Sequence, residues 1–117
     1  MPDIAVERGD LRRTFKIDTI SDGVSGQNTL IAAVTGKRLK VYALVLISEG
    51  TVGVEFRDGA STALTGRMNF QAREGLTIAV APPAFLLQTT AGNAFTMNLD
   101  AAVQIDGWFA YWDDDPA

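Results

Sequence analysis

Arg38-Leu39-Lys40-Val41-Tyr42-Ala43-Leu44-Val45-Leu46-Ile47-Ser48, then Glu49-Gly50, then Thr51-Val52-Gly53-Val54-Glu55-Phe56-Arg57 and Asp58-Gly59, are the residues that decide how this 117-residue chain folds. In residues 51–57, Val52, Val54 and Phe56 point one way and Gly53, Glu55 and Arg57 the other. A period of two marks a strand buried on one face. The Asp-Gly that follows tolerates the positive φ of a tight reversal and so predicts a hairpin. In residues 38–48, Leu39, Val41, Ala43, Val45 and Ile47 fall on one face, while the other passes from Lys40 and Tyr42 to Leu44 and Leu46. That second face starts wet and becomes buried, as in a central strand covered on both sides.

Working outward, residues 11–19 alternate as a strand and end in the turn-rich residues 21–26. Residues 29–34 form a second strand, turned by Thr35-Gly36. Short runs around Ala63-Leu64 and residues 68–70 precede a strand at 76–80. Ala81-Pro82-Pro83 lacks ladder donors and predicts a bend or a sheet edge. Strands at 85–89 and 95–99 flank Ala91-Gly92-Asn93, and the last strand spans 103–112 with Gly107 as an expected bulge. Eight or nine short strands without an amphipathic helix predict an all-β antiparallel sandwich, with a jelly roll as the favoured topology. The expected organisation is an extended N-terminal arm at 1–10, the sandwich at 11–112 and an acidic tail at 113–117.

Composition narrows the chemistry. The chain has no histidine and no cysteine, which removes the usual general base near neutral pH, the thiolate nucleophile and the two commonest transition-metal ligands. A non-enzymatic module that binds or assembles is the expectation. No apolar run approaches the roughly 18–20 residues of a membrane helix, and Met1-Pro2-Asp3 lacks the order of a secretory signal. A soluble chain made in a cytoplasm, with no membrane partner, follows as the default. All ten bases lie at or before Arg73, beside eight acids, whereas residues 74–117 hold six acids and no base. That distribution, with a pI of about 4.6, argues against a nucleic-acid binder. It leaves open chance surface charge or complementary charge between subunits.

Each candidate chemistry in the chain competes with a plainer role. Asp22, Glu55, Asp58, Asp100 and Asp106 could supply a carboxylate pair for glycoside hydrolysis, but most fall at turns or on outward strand positions, where acids keep edges soluble. Ser21, Ser25, Ser48 and Ser61 have no histidine to activate them. Asp113-Asp114-Asp115 offers hard oxygen ligands, and the plainer reading is a solvated tail, so no cofactor or metal is expected. Gly23 and Gly26 precede no helix and form no phosphate cradle. Trp108, Tyr111 and Trp112, with Phe109, are either rings that stack on a sugar or ballast for core and subunit interface. Trp108, Ala110 and Trp112 share one face, Phe109 and Tyr111 the other. Lys37, Arg38 and Lys40 are either the wet start of a strand or a docking patch. Arg8, Arg12, Arg13 and Lys16 sit beside an arm without a core of its own, and they are candidates for contact with a neighbouring subunit or a shell.

Asn28-Thr29-Leu30-Ile31-Ala32-Ala33-Val34-Thr35-Gly36-Lys37-Arg38-Leu39-Lys40-Val41, the segment from Gly53 to Gly59, Ala63-Leu64-Thr65-Gly66 and Gly107-Trp108-Phe109-Ala110-Tyr111-Trp112 together resemble a group of small β-sandwich virion proteins of tailed bacteriophages and prophages. The resemblance covers roughly residues 28–112 and carries structural signposts without functional residues. It implies a jelly-roll-like subunit, commonly trimeric, placed on a capsid or tail. The expected role is a capsid decoration or cement subunit whose partners are its own copies and a major capsid protein, and whose place is the virion. A head or tail fibre or receptor-binding component, or a carbohydrate-binding module using the C-terminal aromatics, remains the alternative.

The missing ligand types generate a direct test. Adding EDTA is expected to leave the melting temperature unchanged, and a loss of several degrees restored by calcium would show that the carboxylates hold a cation.

Overall fold

A computed structural model describes residues 15–115. The arm expected at 1–10, and with it Arg8, Arg12 and Arg13, lies outside the described residues. Ten strands follow in order: β1 (Lys16–Asp22), β2 (Gly26–Ile31), β3 (Arg38–Ser48), β4 (Val52–Asp58), β5 (Thr62–Ala63), β6 (Met68–Phe70), β7 (Gly75–Ala79), β8 (Leu87–Gln88), β9 (Phe95–Leu99) and β10 (Ile105–Asp114). They form two antiparallel sheets packed as a sandwich. Sheet A has the order β1-β10-β3-β7, with β8 continuing along β3, and sheet B the order β2-β9-β4-β5, with β6 also on β4. First pairs with last and second with second-last, so the chain runs as one long hairpin folded over itself. Its tip is the Asp58-Gly59 turn, where Asp58 pairs with Thr62 and Gly59 takes a φ of 73°.

The core lies between the sheets. Val52, Val54, Phe56, Phe95, Met97 and Leu99 of sheet B meet Ile20, Leu39, Val41, Leu44, Leu46, Ile105 and Phe109 of sheet A. Phe56 and Phe95 stack with ring centres 5.5 Å apart, and Phe109 reaches Phe95 from the opposite sheet at 6.2 Å. Each such side chain contributes about 1.5–3 kcal/mol when fully buried. Polar groups close one end: the buried Asp58 carboxylate accepts from the Thr90 amide (3.0 Å), the Thr90 hydroxyl (2.6 Å) and the Asn93 side-chain amide (3.0 Å). The loop before β9 is thereby tied to the hairpin tip, and the carboxylate's desolvation is compensated.

The second strand runs Gly26–Ile31 in place of the expected 29–34, and three features of sheet A also depart from the sequence reading. Ala110 pairs with Ala43 but Tyr111 with Val41, which leaves Tyr42 as an extra residue on β3. The bulge reverses the parity of the strand. Leu39 and Val41 face the core together with Leu44 and Leu46, while Ala43, Val45 and Ile47 face outward, so the single apolar face expected from Leu39 to Ile47 is split. Gly107, expected to be the bulge, instead sits in unbroken register between Ile20 and Leu46. A Cβ there would lie 1.9 Å from the Val45 carbonyl oxygen, so the glycine permits close backbone approach. Finally, the last strand does not stop at Trp112. Asp113 and Asp114 pair with Leu39 and Arg38, because the carboxylates of residues 113–115 find cations on β1 and at the start of β3.

These contacts rank two glycine substitutions. Gly107→Ala forces β10 and β3 apart and is expected to cost on the order of 3 kcal/mol. Gly36→Ala meets no neighbour but must hold a φ of 74°, and should cost only about 1 kcal/mol. Urea unfolding of both variants checks the order.

Candidate functional site

The two sheets share a core but differ on their outer faces. On sheet B the outward positions are Gln27, Thr29, Gly53, Glu55, Arg57, Asn69, Thr96 and Asn98, nearly all polar. On sheet A, cross-strand rows carry Ile17, Ala110, Ala43 and Ala79, then Thr19, Trp108, Val45 and Thr77. Ile47 extends the apolar surface beside Asp106. Exposure is high for side chains of this kind: Ile17 71%, Phe15 50%, Ile47 46% and Trp108 40%. Since a large aromatic side chain carries about 150–250 Å², these four residues expose on the order of 400 Å² of apolar surface. That matches the largest patch of an ordinary monomer, roughly 300–600 Å² and often functional, and is about half of one side of a standard protein interface.

One end of this face is an aromatic box. Phe15 meets Tyr42 and Trp112 edge-on at 5.8 and 5.7 Å, and Tyr42 lies 5.6 Å from Trp112. The bulge sends Tyr42 to this box, and the Lys40 ammonium approaches the Phe85 ring at 5.0 Å and the Trp112 ring at 6.0 Å. Trp112 is fully buried there. Tyr111, on the inner face, packs against Phe109 at 5.5 Å. The row of exposed rings that sugar stacking needs is therefore not formed by Trp108, Tyr111 and Trp112. Only Trp108 of the three is exposed.

The basic candidates among the described residues pair with acids of the same chain. Lys16 meets Asp113 at 3.4 Å, Lys37 meets Asp115 at 2.9 Å, and Asp114 takes Lys40 at 2.8 Å and Arg38 at 3.6 Å. The hydrogen bond to Asp115 raises the Lys37 pKa above its ordinary value. Such exposed pairs are weak individually; here they join the end of β10 to β1 and to the start of β3.

The candidate acids are dispersed by similar local bonds. Asp100 accepts from the Gly53 amide (2.7 Å) and Arg67 (3.1 Å), Glu55 is bonded to Arg57, and Asp58 clamps its loop. Among the described residues no three His, Cys, Asp or Glu side chains are grouped to hold a metal ion. Asp106 does have a carboxyl partner, Glu49, which was not among the candidates. Their hydrogen bond raises the Glu49 pKa, while Gln104 first (2.8 Å) and Glu49 second lower that of Asp106. This pair marks the acidic end of the outer face, beside Ile47.

No family model, no curated protein and no solved structure matches the chain. The residues that sequence reasoning missed are Phe15, Ile17, Val45 and Ile47, each of which reads as an ordinary inward position of an alternating strand. The signal for Val45 and Ile47 is the excess of apolar residues on both faces of residues 38–48.

The carboxyl pair sets a pH dependence. Because Glu49 is raised, the folded state holds its proton more tightly than the unfolded chain does, so this group's stabilisation is present at low pH. It is lost as pH rises from the ordinary glutamate value of about 4.3 through the folded pKa. Glu49→Gln is expected to remove that fall, and melting curves of both proteins between pH 4 and 6 check it.

Proposed function

We propose that this chain is a non-enzymatic structural subunit that assembles through the outer face of sheet A, as a homotrimer, and decorates the shell of a phage capsid. The observation that carries the assembly is the asymmetry between a polar sheet B and an apolar sheet A. Surface strands of a solitary sandwich alternate apolar-in and polar-out; sheet B obeys that rule, and sheet A departs from it across β1, β10 and β3. Closed cyclic assembly covers such a face without leaving a copy of it open. The nested strand pairing supports the jelly-roll reading. The capsid location, the major capsid protein as partner and the virion as the site of action rest on the resemblance in residues 28–112. No helix among the described residues is long and apolar enough to cross a membrane.

Light scattering is expected to give three times the 12.5 kDa chain mass at micromolar concentration. Ile17→Lys with Trp108→Ser should reduce it to one chain while the circular dichroism of the sandwich persists. A wild-type monomer would overturn the assembly. Electron microscopy of particles labelled with antibody against the protein checks the location, and label confined to the tail would overturn the capsid role.

A further inference from the structure

The inter-sheet space is not filled at the edge formed by β7 and β6. Ile78 pairs with Leu44, which is buried. Cross-strand partners share a face, so Ile78 projects toward sheet B, yet 43% of it is exposed. Beneath it lies a pocket of about 220 Å³ lined by Leu44, Leu76, Ile78 and Leu87 of sheet A, Phe56 and Met68 of sheet B, and Thr65 and Leu86 from flanking segments. Thr65 offers the one polar side chain, and its hydroxyl is already engaged, accepting from the Phe56 amide at 3.1 Å and donating to the Gly66 carbonyl at 2.9 Å.

We infer that this pocket is a binding site for a small uncharged apolar molecule, an aryl ring or a short branched hydrocarbon. The chemistry selects the class. A half-open pocket lined this way gives the water in it few partners, so an apolar guest displaces water that is poorly held. A charged ligand would lose its hydration with no counter-ion or free donor in the lining to replace it. A volume of 220 Å³ admits one substituted ring, and the open side at Ile78 lets a polar substituent remain in water. The site lies on the edge of sheet A opposite β1 and is distinct from the proposed assembly surface at Ile17 and Trp108, so it stands whether or not the chain assembles.

Toluene is the probe. Added to the full-length protein, it is expected to raise the melting temperature by several degrees in a saturable manner and to shift the methyl resonances of Leu44, Leu76, Ile78, Leu86, Leu87 and Met68 selectively. Met68→Trp, which places a larger side chain in the same volume, should abolish both effects. If that variant does not fold, the methyl shifts of the wild type decide the matter alone. No saturable stabilisation in the wild type, shifts spread over the outer face of sheet A, or equal stabilisation of a folded Met68→Trp protein would overturn the inference.

Discussion

The rest of this sandwich depends on the seating of β3. It is paired along both of its edges, with β10 on one side and β7 followed by β8 on the other. Gly107 and Gly75 lie on opposite sides of it, and a Cβ at either would collide with a β3 carbonyl, of Val45 or Leu46 respectively. Backbone contact this close leaves no room for slippage, and a one-residue slip would exchange core and solvent faces along the strand. The register of β3 therefore sets which side chains meet Phe56 and Phe95 in sheet B.

Tyr42 changes which side of β3 faces the core partway along the strand. As an extra residue it lets Leu39 and Val41 enter the core at one end of β3 while Leu44 and Leu46 do so at the other, and it turns Ala43, Val45 and Ile47 outward. Those outward residues lie beside Trp108 and Ala110 of β10, and beyond them Ile17 of β1. The bulge thus selects which residues of β3 join that outer face. The Tyr42 ring, directed into the box with Phe15 and Trp112, closes the face at the end where Lys40 and Asp114 pair.

Much of the fold was legible locally. Residues 38–48 and 95–99 coincide with β3 and β9, and Asp58-Gly59 is the hairpin tip, because period-two patterning and turn chemistry are properties of neighbouring residues. The candidate site was legible in part. Trp108 was singled out and is exposed on the outer face, whereas Trp112 from the same cluster is buried, since an aromatic residue has the same appearance in sequence whether or not another ring covers it. Lys37, Arg38 and Lys40 read as free charge because their partners, Asp114 and Asp115, lie over seventy positions away.

The sequence by itself determined the all-β class, most strand positions, the hairpin at the tip and the absence of histidine and cysteine chemistry, all of which follow from residue type and short-range spacing. The tertiary structure decided which strands pair, where β3 changes parity, that residues 113–115 clip the sheet in place of forming a free tail, and that sheet A carries its apolar surface outward. Those outcomes depend on contacts between residues distant in the chain, where hydrogen-bond register and steric fit, such as the space a glycine leaves beside a carbonyl, select among arrangements that local patterning leaves equivalent.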